Sequence, residues 1–480
     1  MTLEFTASAR KKPSRQKKRI KLAGPIGLVS PCGLASLISL LCLMFAVSQP
    51  QRTIAAQQKP GARHVLVISV DGMRPDSYLR PPAGAQLPNL LRMKSEGSFA
   101  EAVEGVYPTL TYPSHTTIVT GRLPAQHGIY TNLSSRVAGK NAGDWFWFAK
   151  SIRCTTLWDE ARAHSMTSAS VAWPVTAGAS IDWDVPEIWN PAEGQVADPL
   201  YVAKFMNPVF GLQMLGALGP PQPGMDSDVL RTRIAEYIIK EHQPGLMLVH
   251  LVDLDETQHH SGPRSAAAAA TLTRIDRHIG EILAAVKQTG LAVNTDIFIV
   301  SDHGFMPIHR LIHPNVLLVK AGLLTADAQG NITGGKIDTV SNGGSFFIYW
   351  PKSEGLRADV SRALEPLFNH DLVWAALNKG ALKDLGADPG AELALDAPSG
   401  AMFDSAGSGD LVTPAAGGDH GYLPFREGLA ASFIAWGPDV KSGVDLHRIR
   451  MIQVGPTILK AMGITDPKFG AAPPLDDIWK

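Results

Sequence analysis

His64-Val65-Leu66-Val67-Ile68-Ser69-Val70-Asp71-Gly72 decides how this chain is read. The run is continuous and apolar, rich in β-branched residues, and lacks the polar–apolar alternation of a strand wetted on one side. Such a run suits a strand covered on both faces, as in a parallel sheet between helices. It stops at an Asp-Gly pair. A carboxylate at the carboxyl end of a parallel strand lies where open α/β sheets gather their ligands.

The same pattern recurs downstream. Ser168 to Trp173, Leu246 to Val252, Ile297 to Val300 and Ser432 to Trp436 are further apolar runs. Between them lie helical patterns. Leu272, Ile275, Ile279, Ile282 and Val286 fall on one helical face, and Asp226 to Lys240 is a second candidate. Strands alternating with helices predict a doubly wound α/β core with a mostly parallel sheet flanked by helices. Two regions break the alternation. Residues 143–225 carry Trp145, Trp147, Trp173, Trp183 and Trp189 and suit a lid or substrate wall. Residues 343–410 read as a small inserted subdomain, after which Gly417 to Tyr422 is expected to return to the sheet edge.

Composition bounds the function. The chain has 480 residues, 44 basic and 44 acidic, and is 45% hydrophobic, so it is globular with no global bias towards nucleic acid. Arg10 to Lys21 is a basic run, and Leu22 to Val47 is free of charge. That order predicts a signal peptide or signal anchor over residues 1–48, then a polar linker over 49–61. The main domain is expected over residues 62–470, outside the cytoplasm: periplasmic, secreted or held at the membrane by the leader. Cys32 and Cys42 fall inside the leader. Cys154 is then alone and reads as a buried small hydrophobe.

The polar residues that end the strands form a set. Asp71 follows the first run. Asp255 and His259 follow another at D-x-x-x-H spacing, which faces both side chains one way if the segment makes a turn of helix. Asp302-His303 follow a third, and His420 sits in a Gly-flanked loop. Taken singly, each is as readily a turn, a cap or a structural histidine. Together they supply three carboxylates and three imidazoles, a mixed donor set that suits two divalent ions and favours zinc. Thr111, bracketed by Pro108 and Pro113 before a helical stretch, offers a hydroxyl at a helix N-terminus, where an anion is welcome.

These segments resemble the nucleotide pyrophosphatase/phosphodiesterase family of the alkaline phosphatase superfamily. The matching motifs are Val70-Asp71-Gly72, Pro108 to His115, Thr120-Gly121, His127-Gly128-Ile129, Asp255 with His259 and Gly262-Pro263, Ser301 to Gly304, and Asp419 to Tyr422. The resemblance implies an alkaline phosphatase-like fold and a phosphodiesterase with two zinc ions. In that pattern Thr111 is the nucleophile and touches one zinc, held by Asp71, Asp302 and His303. Asp255, His259 and His420 hold the other. Asn132 steadies a phosphoryl oxygen, Tyr112 stacks on a nucleobase, and Trp173 lines the substrate. The implied partner is a small phosphodiester or nucleotide. Leu110, Val175-Thr176-Ala177 and Phe305 depart from common family residues and bear on leaving-group preference. The rival readings are a phosphonoacetate hydrolase-like or lipid phosphodiesterase member, and an inactive binding module on the same scaffold.

Overall fold

The computed structural model describes residues 63–134, 145–188, 202–220, 227–351 and 354–480. The leader and linker expected over residues 1–61 lie outside these, as does Trp189. Among the described residues, no helix is long and apolar enough to cross a membrane.

Among the described residues the main sheet has eight strands: β1 (His64–Val70), β2 (Ser98–Phe99), β3 (Ser168–Val171), β4 (Trp183–Val185), β5 (Leu246–Leu251), β6 (Thr295–Val300), β7 (Phe433–Trp436) and β8 (Val444–Asp445). Their spatial order is β8-β2-β7-β6-β1-β5-β3-β4. β1 pairs in parallel with both β5 and β6, and β3 with β5 and β4. β7 runs antiparallel to β6. Every residue of β1, β5 and β6 is buried, which is why these strands read as unbroken apolar runs.

Side chains of alternate residues feed two cores. Leu66, Ile68, Val249 and Ile299 face one, shared with α2 (Ser227–His242) and α4 (Ala266–Gln288). Val65, Val67, Leu248 and Phe298 face the other, with α1 (Thr111–Thr120) and α5 (Val454–Ala461). The predicted stripe Leu272, Ile275, Ile279, Ile282 and Val286 is buried along α4. Between β5 and α4 lies α3 (Asp253–Ser261), the helical turn that the Asp255/His259 spacing required.

Gly417 to Tyr422 does not return to the main sheet. Val412–Asp419 pairs with Met306–Ile312, which also pairs with Gly400–Phe403, in a separate three-stranded sheet. Its glycines carry no apolar signature from which that partner could be read. A four-stranded antiparallel sheet, from Asp338–Ser341 to Leu393–Asp396, shares a core with this region through Phe346, Leu395, Phe403 and Tyr422. Cys154 is half-buried, not sealed in a core as expected.

One residue of the main sheet carries a stability prediction. Asp184 in β4 is buried, and neither carboxylate oxygen makes a hydrogen bond. Burial pushes its pKa from 3.8 up to about 8, and the nearby Ser170 and Thr176 hydroxyls offset only part of this. The folded state thus keeps a proton that the unfolded chain releases. Stability from this group is full below the ordinary carboxylate range and falls as pH rises towards about 8. Asp184→Asn is expected to remove that slope and to exceed the native chain in stability by roughly 2–4 kcal/mol at pH 8. Urea unfolding at pH 5 and pH 8 checks it, and an equal difference at both pH values would contradict it.

Candidate active site

The sheet places its polar ends together. Asp71 follows β1, Asp255 and His259 lie on α3 after β5, and Asp302-His303 follow β6, and these strands are adjacent in the sheet. His420 follows the strand Val412–Asp419, whose residue Asp419 pairs with Met306 just beyond His303. Backbone contacts hold the turns in place. The N–H of Gly72 donates to Asp302 Oδ1 at 3.1 Å, and Gln258 Nε2 donates to the carbonyl of Gly72 at 3.0 Å. Gly72 has φ +67, and a side chain there would meet the ring of Phe305 at 2.8 Å, so this turn needs glycine.

Two groups of donors result. In the first, His303 Nε2 lies 3.1 Å from Asp302 Oδ2 and 3.4 Å from Asp71 Oδ1. In the second, His259 Nε2 lies 3.3 Å from Asp255 Oδ2, and His420 Nε2 lies 3.7 Å from Asp255 Oδ1. The groups adjoin: the rings of His303 and His420 stack with centroids 3.7 Å apart. Donor atoms of Asp71, Asp302 and His303 all lie within 4.8 Å of one another, as do those of Asp255, His303 and His420.

These residues fit divalent cations. Asp71 Oδ1, Asp255 Oδ1, Asp302 Oδ2 and His303 Nε2 are buried and make no hydrogen bond, although they face one another. Buried carboxylate oxygens without partners are costly, and a cation is the partner that suits them. The remaining ring nitrogens are fixed by backbone carbonyls. His420 Nδ1 donates to Thr109 O at 2.8 Å, His259 Nδ1 to Gly418 O at 3.2 Å and His303 Nδ1 to Gly304 O at 3.2 Å. That arrangement aims each Nε2 inward.

The electrostatics show the same crowding. Burial, then the charges of Asp302 and Asp255, raise the Asp71 pKa well above the usual carboxylate range. Burial works against charge on His303, but Asp302 and Asp71 outweigh it and lift that imidazole to about 9. Burial and the charge of His303 push His420 down to about 3.

Thr111 opens α1 beside the first group. Among the described residues its hydroxyl has no hydrogen-bond partner, and it is only partly buried, unlike the other residues of the helix. The interior of α1 is polar yet sealed, because its side chains bond back along the helix. Thr116 Oγ1 donates to Tyr112 O and Thr120 Oγ1 to Thr116 O. His115 Nδ1 donates to Thr111 O at 2.8 Å and lies 3.7 Å from Asp302 Oδ2, which ties the first turn to the donor cluster. The helix ends on Gly121 in the left-handed region (φ +63), where a side chain would strike Pro456 at 2.8 Å. Asn132 Oδ1 accepts from the N–H of Tyr112 at 3.0 Å, which brings Asn132 to the same helix end.

Two residues expected to meet the substrate are buried in this structure. Tyr112 is fully buried among Ile129, Trp147, Val175, Ala177 and Ile188, with Trp145 at 5.3 Å. Its hydroxyl donates to Glu187 Oε1 at 3.1 Å. Trp173 is also fully buried, edge-on to His115 at 4.8 Å, and lines no open surface. A contact 75 residues away in sequence turns the Tyr112 hydroxyl inward. Sequence reasoning also missed His250 and Glu187, which lie behind Asp71. A histidine inside the apolar run Leu246 to Val252 was the available signal for the first.

Comparisons with known proteins bear on the fold and the family. A family model described as type I phosphodiesterase / nucleotide pyrophosphatase matches residues 65–422. Ectonucleotide pyrophosphatase/phosphodiesterase family member 1 of Mus musculus is 26% identical over 247 residues, 50% of this chain and 24% of that protein. The Bos taurus bis(5'-adenosyl)-triphosphatase is 28% identical over 249 residues, 50% of this chain and 47% of that protein. The match thus spans about a quarter to a half of these relatives. Among solved structures, human ectonucleotide pyrophosphatase/phosphodiesterase 5 superposes with TM-score 0.61 at 21% identity, covering 85% of this chain and 97% of its own. The murine counterpart, solved as an inactive form in complex with AMP, gives 0.62 at 18% identity over 87% of this chain and 100% of its own. At these identities the structures establish the fold, and the family match rests on the sequence that carries the site: this chain belongs to the type I phosphodiesterase/nucleotide pyrophosphatase family.

Proposed function

We propose that this chain is an exported phosphodiesterase/nucleotide pyrophosphatase that works with two zinc ions and a phosphothreonine intermediate on Thr111. The observation that carries this reading is the convergence of Asp71, Asp302 and His303 with Asp255, His259 and His420 beside the helix end that bears a free threonine hydroxyl. Asp71, Asp302, His303 and Thr111 would hold one ion, and Asp255, His259 and His420 the other. Two zinc ions so held supply positive charge that lowers the pKa of the threonine hydroxyl and offsets charge on the attacking and leaving oxygens.

The chain's own residues supply the rest. Thr111 Oγ1 attacks phosphorus, loses its proton, and displaces the leaving oxygen, which takes up a proton. Water then opens the phosphothreonine and restores the hydroxyl. Asn132, its Oδ1 committed to Tyr112, has its Nδ2 donors left for a phosphoryl oxygen. The N–H of Thr111, at the helix start, is a second donor of the same kind. A stacking role passes from Tyr112 to Trp145 and Phe146. Both are partly exposed, and the N–H of Phe146 donates to Asn132 O at 3.0 Å. Export rests on the basic-then-apolar N-terminus and on the extracellular naming of the relatives.

The test is a substrate panel on the zinc-loaded full chain: p-nitrophenyl thymidine monophosphate, a dinucleoside polyphosphate, a lysophospholipid and phosphonoacetate. Turnover of the first two, well above the others, is expected. Zinc-loaded protein that turns over phosphonoacetate alone, or nothing in the panel, contradicts the reading.

A further inference from the structure

Behind Asp71 runs a buried chain of hydrogen bonds that the proposed chemistry does not use. Asp71 Oδ2 lies 3.0 Å from His250 Nε2. His250 Nδ1 lies 3.0 Å from Glu187 Oε2 and 3.1 Å from the carbonyl of Ala172, both acceptors, so this nitrogen carries a hydrogen. Glu187 Oε1 accepts from the Tyr112 hydroxyl. On its outer side Glu187 faces Arg231, which lies 3.5 Å from Asp228; Asp228 in turn accepts from the N–H groups of Val252 and Asp253. His250 and Tyr112 are fully buried, and the Asp71 and Glu187 side chains are only 5% and 11% exposed.

A buried polar array of this size is expensive unless every member is satisfied. Apolar side chains would fill the same space more cheaply, so the array is explained by what it orients. Its inner end makes a choice between the two oxygens of Asp71. Oδ2 is taken by His250, whereas Oδ1 is buried without a partner and faces His303. Its outer end reaches Tyr112, the neighbour of Thr111, whose N–H also holds Asn132.

We propose that His250 and Glu187 are positioning residues that fix Asp71 with Oδ1 presented to the cation, and that lock Asp71, Thr111 and Asn132 into one hydrogen-bonded frame through Tyr112. The proposal rests on the reading of Asp71 as an ion ligand. Glu187 and His250 lie 116 and 179 positions from Asp71 in sequence, and neither touches the reacting atoms.

The experiment is a competition between the full chain and a chromophoric zinc chelator, for the native protein, Glu187→Gln and His250→Phe. Each variant is expected to bind one of the two ions about 10–100-fold more weakly, with the other within about threefold of native. A general structural role would instead weaken both ions in step with the thermal stability of the metal-free protein, and that outcome overturns the proposal. Native affinity for both ions in both variants also overturns it. A native chain that takes up no zinc overturns the ion reading itself, which separates that failure from a failure of the relay. If neither variant folds, Tyr112→Phe keeps the ring and deletes one hydroxyl; it is expected to weaken the same ion by about two- to tenfold, and unchanged binding there overturns the relay.

Discussion

Replacing Thr111 by alanine is expected to abolish most turnover while leaving the fold and the metal content nearly intact. The structural half of this expectation follows from what the side chain touches. The Thr111 hydroxyl makes no hydrogen bond, and the residue stands at the first position of α1, half-buried, where alanine is at least as good a helix former. The donors that would hold the ions are the carboxylates and imidazoles, which the substitution leaves in place. The chemical half follows from the role of the oxygen. Without it no phosphothreonine forms, and hydrolysis is left to direct attack by water, so a loss of roughly 10³-fold or more in kcat is expected. Thr111→Ser should restore part of the activity, because the hydroxyl returns without the methyl group that limits its rotamers. Steady-state rates, zinc per chain and unfolding temperature check the set. Unchanged activity in Thr111→Ala with full zinc would remove the threonine from the mechanism and leave the cation cluster standing.

The sequence was most readable where burial is symmetric. β1, β5 and β6 lie under helices on both faces, so nothing masks their apolar runs, and their ends coincide with Asp71, Asp253 and Ser301-Asp302-His303. The Asp255/His259 pair was readable because a helix imposes its own spacing. Side-chain direction was not readable where distant segments decide it. Tyr112 and Trp173 face inward, because Glu187 and His115 hold or cover them. Glu187 itself sits on the stretch after β4 with no local pattern, and its meaning appears only when β5 brings His250 beside it. The Gly-rich strand that ends at Asp419 failed for the opposite reason. Its register with Met306–Ile312 is set by backbone pairing, with few side chains to announce it.

The double replacement Asp255→Ala/His259→Ala separates a catalyst from a binding module built on the same fold. It removes two of the three donors of the second group and leaves His420 with Asp419 nearby, while Asp71, Asp302 and His303 keep their contacts. Zinc is expected to fall from about two to about one per chain, since His420 and Asp419 are too few donors to retain an ion against competing solvent. Turnover is expected to fall by roughly 10³-fold or more, because charge on one of the two in-line oxygens loses its counterpart. The fold should tolerate the change. Asp255 Oδ1 is buried without a hydrogen-bond partner, so its removal relieves a cost. The His259 ring gives up an edge contact with Phe305 at 4.9 Å and one hydrogen bond to Gly418, about 1–2 kcal/mol together. Elemental analysis and thermal unfolding distinguish the cases. A variant that keeps both ions places the second site elsewhere. A variant that loses one ion but still turns over nucleotide esters at the native rate shows that Asp71, Asp302, His303 and Thr111 suffice, and the second group would then serve structure or binding instead of the departing oxygen.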